Sequence, residues 1–489
     1  APVIKLPEGA SEDDHLALLG VLNSSTACFW LKQNSYPKGG DPVGQDGARV
    51  SQQPWSDRYE FTGTTLQDYP LPTSLPLERG RRLDDMARTL GGYLPSAVPK
   101  SGRPMGHVAG RMAKEEEDFR ARMIGVQEEL DWEVYGLYGL LDEQLTLPGG
   151  QEPPMVLLGE RAFEIALARK IAAGEESSAW FDRHGSTPVT EIPESWPQEY
   201  RNLVQRRLDL IESDRFINLL ERPEYKRRWA SEPWEKRYER RLREWLLDRL
   251  EDRRFWFDGA GRPKPTSVAQ LADEVARDDD LRATLDLWAQ GQDVDIPNTL
   301  EKLLADEAVP YLASLRLKES GLRKRREWER TWDLQRAEDR GEDVGDIPVP
   351  PKYTSADFRA GWRHRGKLDV PKERFISYPG GNRDTDPSTL LGWAGWDHAQ
   401  QSLALATILS ARVAEGASDE KLTPLVAGMA ELEPWVEQWH SGTDENGIDI
   451  AAFCRATLDD HLASLSTTRT HLLDWRPPAP TRGRRRKTT

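Results

Sequence analysis

Side chains that can hydrogen-bond to DNA bases are concentrated in a glycine-rich stretch near the start of the chain, between Lys38 and Arg58. Arginine and lysine can address guanine edges, and glutamine can address adenine. The stretch contains Arg49, Gln52 and Gln53 and ends beside aromatic residues. This composition indicates a loop that could read DNA. Taken alone, such a composition is more often that of an ordinary surface loop, and both interpretations stay open.

Other kinds of site have little support in the sequence. The eight histidines are scattered, without a cysteine partner or an HExxH pair, so no metal site is predicted. No GxSxG, Walker A or GxGxxG motif is present, which argues against a serine nucleophile or a nucleotide cradle. Asp397 and His398 could act as an acid/base pair, although a helix N-cap beside a packed histidine is the simpler interpretation. The only support in the sequence for a Mg²⁺-dependent nuclease is a number of scattered carboxylates.

The elements on either side of the glycine-rich stretch are predicted to frame it. Ser11 is a typical N-cap and three acidic residues follow it, and the apolar spacing predicts one helix that runs to about Lys32. Residues 34–55 are predicted as a long loop, residues 58–62 as a strand, and the Pro-Leu-Pro at 70–72 as its stop. We therefore expect a small α/β region that presents a loop.

The rest of the chain is predicted to be mainly α, built from helical hairpins or bundles. Helices are expected at about 77–94 and 108–142, through most of 160–341, from about 397, at 421–440 and at 449–464. A linker at 341–351 and two short strands within 358–377 interrupt this pattern. The predicted domains are therefore 1–150 with the α/β region, a helical scaffold at 151–345, a helical domain with a structured loop at 346–480, and a basic disordered tail at 481–489.

Composition and charge exclude several classes of protein. With 489 residues and 18 tryptophans, the chain is long enough for several domains and has large side chains for their cores. A net charge of −15 argues against a protein that wraps nucleic acid over most of its surface, so any DNA contact must be local. No run approaches the roughly 20 apolar residues of a membrane span, and two cysteines fit a cytoplasmic location. The chain opens without Met or a signal peptide, so we expect it to be a piece of a longer protein.

Three blocks of sequence resemble known adenine-specific DNA methyltransferases. LLGVLNSSTACFWLKQ and YEFTGTTLQDYPLP are similar to the C-terminal specificity region of the Eco57I-type enzymes, and QEELDWEVYGLYGLLD is similar to the helix that follows it. RFISYPGGNRDTDPSTLLGWAGWDHAQQ and LTPLVAGMAELEPWVEQWH resemble the tail of the PglX-type methyltransferases of type 2 BREX phage-defence systems. The blocks cover both ends of the chain, whereas residues 160–341 contain no motif of this kind.

The resemblance implies a division of labour within a longer protein. The catalytic half of this family has a Rossmann-like fold that binds S-adenosylmethionine and an NPPY-type motif that positions a flipped adenine. Neither an NPPY nor a Gly-rich cofactor loop occurs in these 489 residues, so this chain alone should not methylate DNA. S-adenosylmethionine is expected for the full-length parent and not for this chain. The expected partners are double-stranded DNA and the upstream methyltransferase half.

Under this resemblance, residues 1–150 become a target-recognition region and two loops become candidates for DNA contact. In the first loop, base edges are the expected contacts of Arg49, Gln52 and Gln53, and phosphates those of Lys32, Lys38 and Arg58. The root of the loop is expected to be packed by Trp55 and Tyr59. The candidates in the second loop are Arg374, Tyr378, Asn382 and Arg383. An alternative prediction is a scaffold that binds other BREX proteins or a phage-encoded inhibitor.

Overall fold

The computed structural model describes residues 4–39, 53–95, 106–359, 374–443, 447 and 449–478. These residues contain 20 α-helices and six short strands, so the predicted mainly α fold is confirmed. The chain divides into two compact units, Ala1–Glu239 and Arg240–Thr489, and the predicted boundaries near 150 and 345 fall inside them. None of the described helices combines the length and the apolar character needed to cross a membrane.

The first unit is helical except for one hairpin. Its elements are, in order, α1 (Glu12–Leu22), α2 (Ser25–Gln33), β1 (Tyr36–Gly39), β2 (Arg58–Glu60), α3 (Gly63–Gln67), α4 (Leu77–Leu90), α5 (Gly106–Leu137), α6 (Ala162–Ala172), α7 (Trp180–His184), α8 (Gln198–Ser213) and α9 (Arg215–Leu220). The helix α10 (Trp234–Leu250) begins in this unit and ends in the second one.

The helix predicted from Ser11 to about Lys32 is in fact two helices. Ser11 caps α1 as predicted, since its hydroxyl accepts a hydrogen bond from the Asp14 amide at 3.2 Å. Ser24 then interrupts the pattern, because its hydroxyl donates to the Val21 carbonyl at 2.7 Å and accepts from the Ala27 amide at 3.2 Å. A serine that satisfies backbone groups on both sides ends one helix and caps the next.

Two glycines allow α1 and α4 to pack closely. A β-carbon on Gly80 would lie 2.4 Å from the Leu16 carbonyl oxygen, and one on Gly20 would lie 2.9 Å from the Pro76 carbonyl oxygen. Larger residues would therefore push the two helices apart. The core of the unit then forms around α5, where Leu130, Trp132 and Tyr135 have no exposed surface.

The second unit joins helices to a small sheet. Its elements are α11 (Arg253–Trp256), β3 (Thr266–Ser267), α12 (Val268–Ala276), α13 (Asp279–Trp288), α14 (Ile296–Leu304), β4 (Ala308–Pro310), α15 (Ala313–Arg316), α16 (Glu319–Asp339), β5 (Phe375–Ser377), β6 (Leu390–Trp393), α17 (His398–Ala414), α18 (Asp419–His440), α19 (Ile450–Ser464) and α20 (Arg469–Leu473).

The sheet of the second unit draws its strands from distant parts of the sequence. The strand order is β3-β6-β5-β4, with β4 parallel to β5 and the other neighbours antiparallel. The strands β3 and β4 precede residue 345, and β5 and β6 follow it. The predicted division at 345 therefore separates strands that share one sheet.

Candidate nucleic-acid interface

The predicted recognition loop connects the two strands of a hairpin. The strands β1 and β2 pair antiparallel, with Tyr36 opposite Glu60 and Pro37 opposite Tyr59. The predicted base-contacting residues Arg49 and Gln52 lie outside the described residues. Gln53 is half-buried where the described chain resumes, and its carbonyl accepts a hydrogen bond from the Ser56 hydroxyl at 2.9 Å.

A buried carboxylate fixes α2, the helix that leads into the hairpin. Asp131 on α5 accepts hydrogen bonds from the Ser25 amide at 2.9 Å and the Ser25 hydroxyl at 2.6 Å. The Asp131 carboxylate also lies 3.4 Å from the Lys226 ammonium, which pairs with Glu221. All these groups are at least 95% buried. The start of α2 is thus held by an ion network that water does not reach.

Charge balance keeps the Lys226 ammonium ionised inside this network. Burial by itself would lower the pKa of Lys226, but the carboxylates of Glu221 and Asp131 raise it above its ordinary value. Tyr135 donates a hydrogen bond at 2.7 Å to the same Glu221 oxygen that pairs with Lys226. Buried charges with such partners fix geometry strongly, because loss of one partner leaves another charge unpaired.

Lys32 lies at the base of the hairpin and is partly committed to the protein. Its ammonium donates a hydrogen bond to the Glu224 carbonyl and lies 5.3 Å from the centre of the Tyr59 ring. Burial lowers its pKa, and the nearby Arg228 guanidinium lowers it further. The half-buried side chain can contact a phosphate only from this fixed position, and its predicted role stays a prediction.

The exposed cations of the hairpin are Lys38 and Arg58. Lys38 pairs with Glu60 on the opposite strand at 2.7 Å, and the two side chains are 59% and 53% exposed. Arg58 is also exposed and makes no ion pair with any residue that the structure describes. An exposed pair such as Lys38 with Glu60 contributes little stability, so a phosphate can replace the carboxylate at small cost.

Trp55 forms the packed root of the hairpin connection. The residue is 4% exposed, and its ring meets the Trp180 ring edge-on at a centroid distance of 5.5 Å. The guanidinium groups of Arg183 and Arg228 lie 5.2 and 5.7 Å from the Trp55 ring centre. Trp55 therefore supports two arginines and has almost no surface of its own for DNA.

Three residues at this place were missed by the sequence analysis: Tyr36, Arg183 and Arg228. Both arginines are exposed, and Arg228 forms no ion pair within the described part of the chain. Tyr36 is 87% exposed on β1. A basic run from Arg222 onward was the available signal for Arg228. No sequence signal brings Arg183 on α7 beside Trp55, because that contact joins residues 128 positions apart.

The two cations of the second predicted loop both pair with acids of the second unit, and Arg374 is neutralised by them. Arg374 lies 2.6 Å from Asp248, 2.7 Å from Glu251 and 3.8 Å from Glu307, with 16% of its side chain exposed. Arg383 pairs with Glu415. An arginine surrounded by three carboxylates has little charge left for a phosphate.

The aromatic and amide members of the second loop differ in exposure. Tyr378 is 1% exposed, so it is a core residue with no surface that a base or phosphate could touch, which corrects its predicted DNA contact. Asn382 is half-buried.

Asp397 caps α17 by accepting a hydrogen bond from the Gln400 amide at 2.7 Å, and His398 stacks on Trp435 at 5.5 Å. The cap interpretation of this pair is confirmed. Within the described ranges, no group of three or more His, Cys, Asp or Glu could hold a metal ion.

Comparisons with known proteins relate the chain to one family and one relative. A family model described as "Domain of unknown function (DUF7008)" matches residues 123–486. A protein of Streptomyces coelicolor named adenine-specific methyltransferase PglX is 50% identical over an alignment of 499 residues. That alignment covers 99% of this chain and 41% of the relative, so the chain spans less than half of the relative's length. No solved structure matches the chain significantly.

Proposed function

Because the chain belongs to the DUF7008 family and its resemblance to the PglX-type methyltransferases is confirmed, we propose that it recognises the DNA target of such an enzyme and forms its scaffold. The chemistry then lies in the remainder of a longer protein, which binds S-adenosylmethionine and methylates adenine in bacteriophage defence of the BREX type. This chain selects the site and transfers no methyl group.

One observation carries the proposal for the first unit. Exposed cations from separate elements lie at the hairpin: Lys38 and Arg58 are on its strands, while Arg183 on α7 and Arg228 before α10 lie against the ring of Trp55 at its root. Tyr36 adds an exposed ring beside them. Clustered cations neutralise phosphates, and the connection between the strands supplies the proposed contacts with base edges. This local cluster reconciles DNA binding with a net charge of −15.

The second unit fits the scaffold part of the proposal better than DNA contact. Arg374 is enclosed by three carboxylates, and Tyr378 is buried. This neutralisation favours contacts with other proteins, such as further defence components or a phage-encoded inhibitor.

A salt titration of DNA binding tests the proposal. Each phosphate contact contributes a slope of roughly −0.9 in log affinity against log salt concentration, so loss of one contact removes about 0.9 from the slope. We expect this loss for Arg58→Ala and for Arg228→Ala on any duplex. The control is Arg262→Ala, whose side chain is 76% exposed and paired with Asp258 in the second unit. An unchanged slope for both hairpin variants would contradict the proposal.

Sequence preference separates the two predicted roles in the hairpin connection. Gln52→Ala should reduce the preference for the cognate duplex over a random one, because a base-edge contact is worth about 1–3 kcal/mol of discrimination. Lys38→Ala should weaken binding to both duplexes equally, because a phosphate contact carries no sequence information. Equal losses on both duplexes from both variants would count against the assignment.

A further inference from the structure

The second unit contains an open aromatic cavity of about 420 Å³. Five rings line it: Trp328 and Trp332 from α16, Trp435 from α18, and Tyr353 and Phe358 from the segment after α16. The side chains of Arg316, Arg325 and Glu329 complete the polar part of the lining. Such a concentration of rings on an accessible surface is typical of a binding site rather than of a core.

The ring cluster already binds a cation of its own chain at one edge. The guanidinium of Arg336 lies 4.7 Å from the centre of the Trp435 ring, while the His398 ring stacks on Trp435 at 5.5 Å. Trp332 meets Trp435 edge-on at 5.2 Å, and Trp328 lies beside Trp332 at 6.3 Å. Trp328 remains 37% exposed. Indole faces carry negative charge density and attract cations over anions.

The carboxylate in the cavity has a shared partner. Arg325 lies 2.8 Å from Glu329 and 2.7 Å from Glu431, so one guanidinium serves two carboxylates. The Glu329 side chain is 42% exposed, whereas that of Glu431 is 12% exposed. Burial raises the pKa of Glu329 even though Arg325 opposes the shift. Glu329 is thus the carboxylate that a second cation can approach.

We propose that this cavity binds the guanidinium or ammonium group of a basic partner protein, held between the indole faces of Trp328 and Trp332 and the carboxylate of Glu329. The net charge of −15 draws a basic partner toward the chain, and the rings select its cationic side chains. The occupant is a polypeptide and not a nucleic acid. Because Arg325 is shared between two carboxylates, it compensates the charge of Glu329 only in part. The cation of the partner pairs with the remaining negative charge.

Peptide binding to the full chain tests this inference. The probe is a fluorescein-labelled peptide of alternating glycine and arginine, measured by fluorescence anisotropy beside a peptide in which neutral citrulline replaces every arginine. We expect the arginine peptide to bind and the citrulline peptide to bind much more weakly. Removal of one cation–π contact by Trp328→Ala should weaken arginine-peptide binding roughly 2- to 30-fold. Glu329→Gln should weaken it in the same direction.

Two matched variants serve as controls for folding and for general acidity. Trp439→Ala removes a 62% exposed tryptophan that does not line the cavity, and Glu327→Gln removes an exposed carboxylate on the same helix as Glu329. Both should bind the arginine peptide like the unchanged protein. Equal binding of the citrulline peptide, no effect of Trp328→Ala, or an equal loss in the control variants would overturn the inference. A deoxythymidine oligonucleotide serves as a competitor. If it displaces the arginine peptide, and if its own binding is lost in Trp328→Ala, the cavity binds nucleic acid and the inference is overturned.

Discussion

Replacing Asp131 with alanine tests how the protein fixes α2 and thereby the hairpin. Asp131 is 2% exposed and receives both hydrogen bonds of Ser25 at the start of α2. Its removal would also deprive the Lys226 ammonium, whose side chain is 1% exposed, of one of its two carboxylates. The change therefore breaks a buried ion pair and leaves two buried donors without acceptors.

The expected loss of stability is large. Removing one partner of a buried ion pair costs about 3–5 kcal/mol, and each unsatisfied buried donor about 1–3 kcal/mol. These effects are not additive, because the same site relaxes around all of them. We therefore expect a total of about 3–5 kcal/mol in the first unit. Asp118→Ala on the same helix removes a surface pair with Lys114 at 2.8 Å and should cost only about 0.2–0.5 kcal/mol.

Native-state hydrogen exchange of the full chain measures this loss locally, because peptides from α2 and α5 report the opening free energy of their own region. In Asp131→Ala both peptides should lose about 3–5 kcal/mol of protection, while Asp118→Ala leaves them nearly unchanged. DNA affinity should fall with the protection of α2. A loss below about 1 kcal/mol, or equal losses in the two variants, would refute the anchoring role of Asp131.

Two further predictions concern the first unit. Gly80→Ala should destabilise it by about 1–3 kcal/mol, because the new β-carbon would lie 2.4 Å from the Leu16 carbonyl oxygen, whereas Gly110→Ala meets nothing within 4 Å and should be neutral or stabilising in urea unfolding. Burial raises the pKa of Glu128 from 4.5 to about 7. Glu128 therefore ionises at lower pH in the unfolded state than in the folded one, and the free energy of unfolding should fall by an amount on the order of 3 kcal/mol as pH rises from about 4.5 to 7. Unfolding of Glu128→Gln, measured across the same pH range, should not show this loss.

The sequence predicted those helix starts and strands that are determined by residues close together in the chain. Ser11 with its acidic followers marked the start of α1, and the alternation after Arg58 marked β2. Ser24 lies in an apolar period that continues across it, so the break between α1 and α2 was not predicted. Whether a serine continues or caps a helix depends on backbone groups that hydrophobic spacing does not report.

Contacts between distant residues account for most of what the sequence did not predict. The apolar stripe of α5 predicted a core helix, but the pairing of Asp131 with Lys226 joins residues 95 positions apart. The strands of the second unit are two to four residues long, too short for a periodicity, and two of their three pairings join residues more than 60 positions apart. The acids around Arg374 likewise come from α10, from the residue that follows it and from the segment before β4. For this reason the sequence located the hairpin cations but could not show that Arg374 is neutralised.

Photocrosslinking from Tyr36 tests the central proposal most directly, because this side chain is 87% exposed on β1 beside the cations of the hairpin. A photoreactive benzoylphenylalanine at position 36 of the full chain should crosslink to duplex DNA, and the yield should fall as salt rises. The same residue in place of Phe453, which is 50% exposed on α19, is the control and should give little crosslink. Crosslinking at position 453 equal to or greater than that at position 36 would contradict DNA recognition by the hairpin.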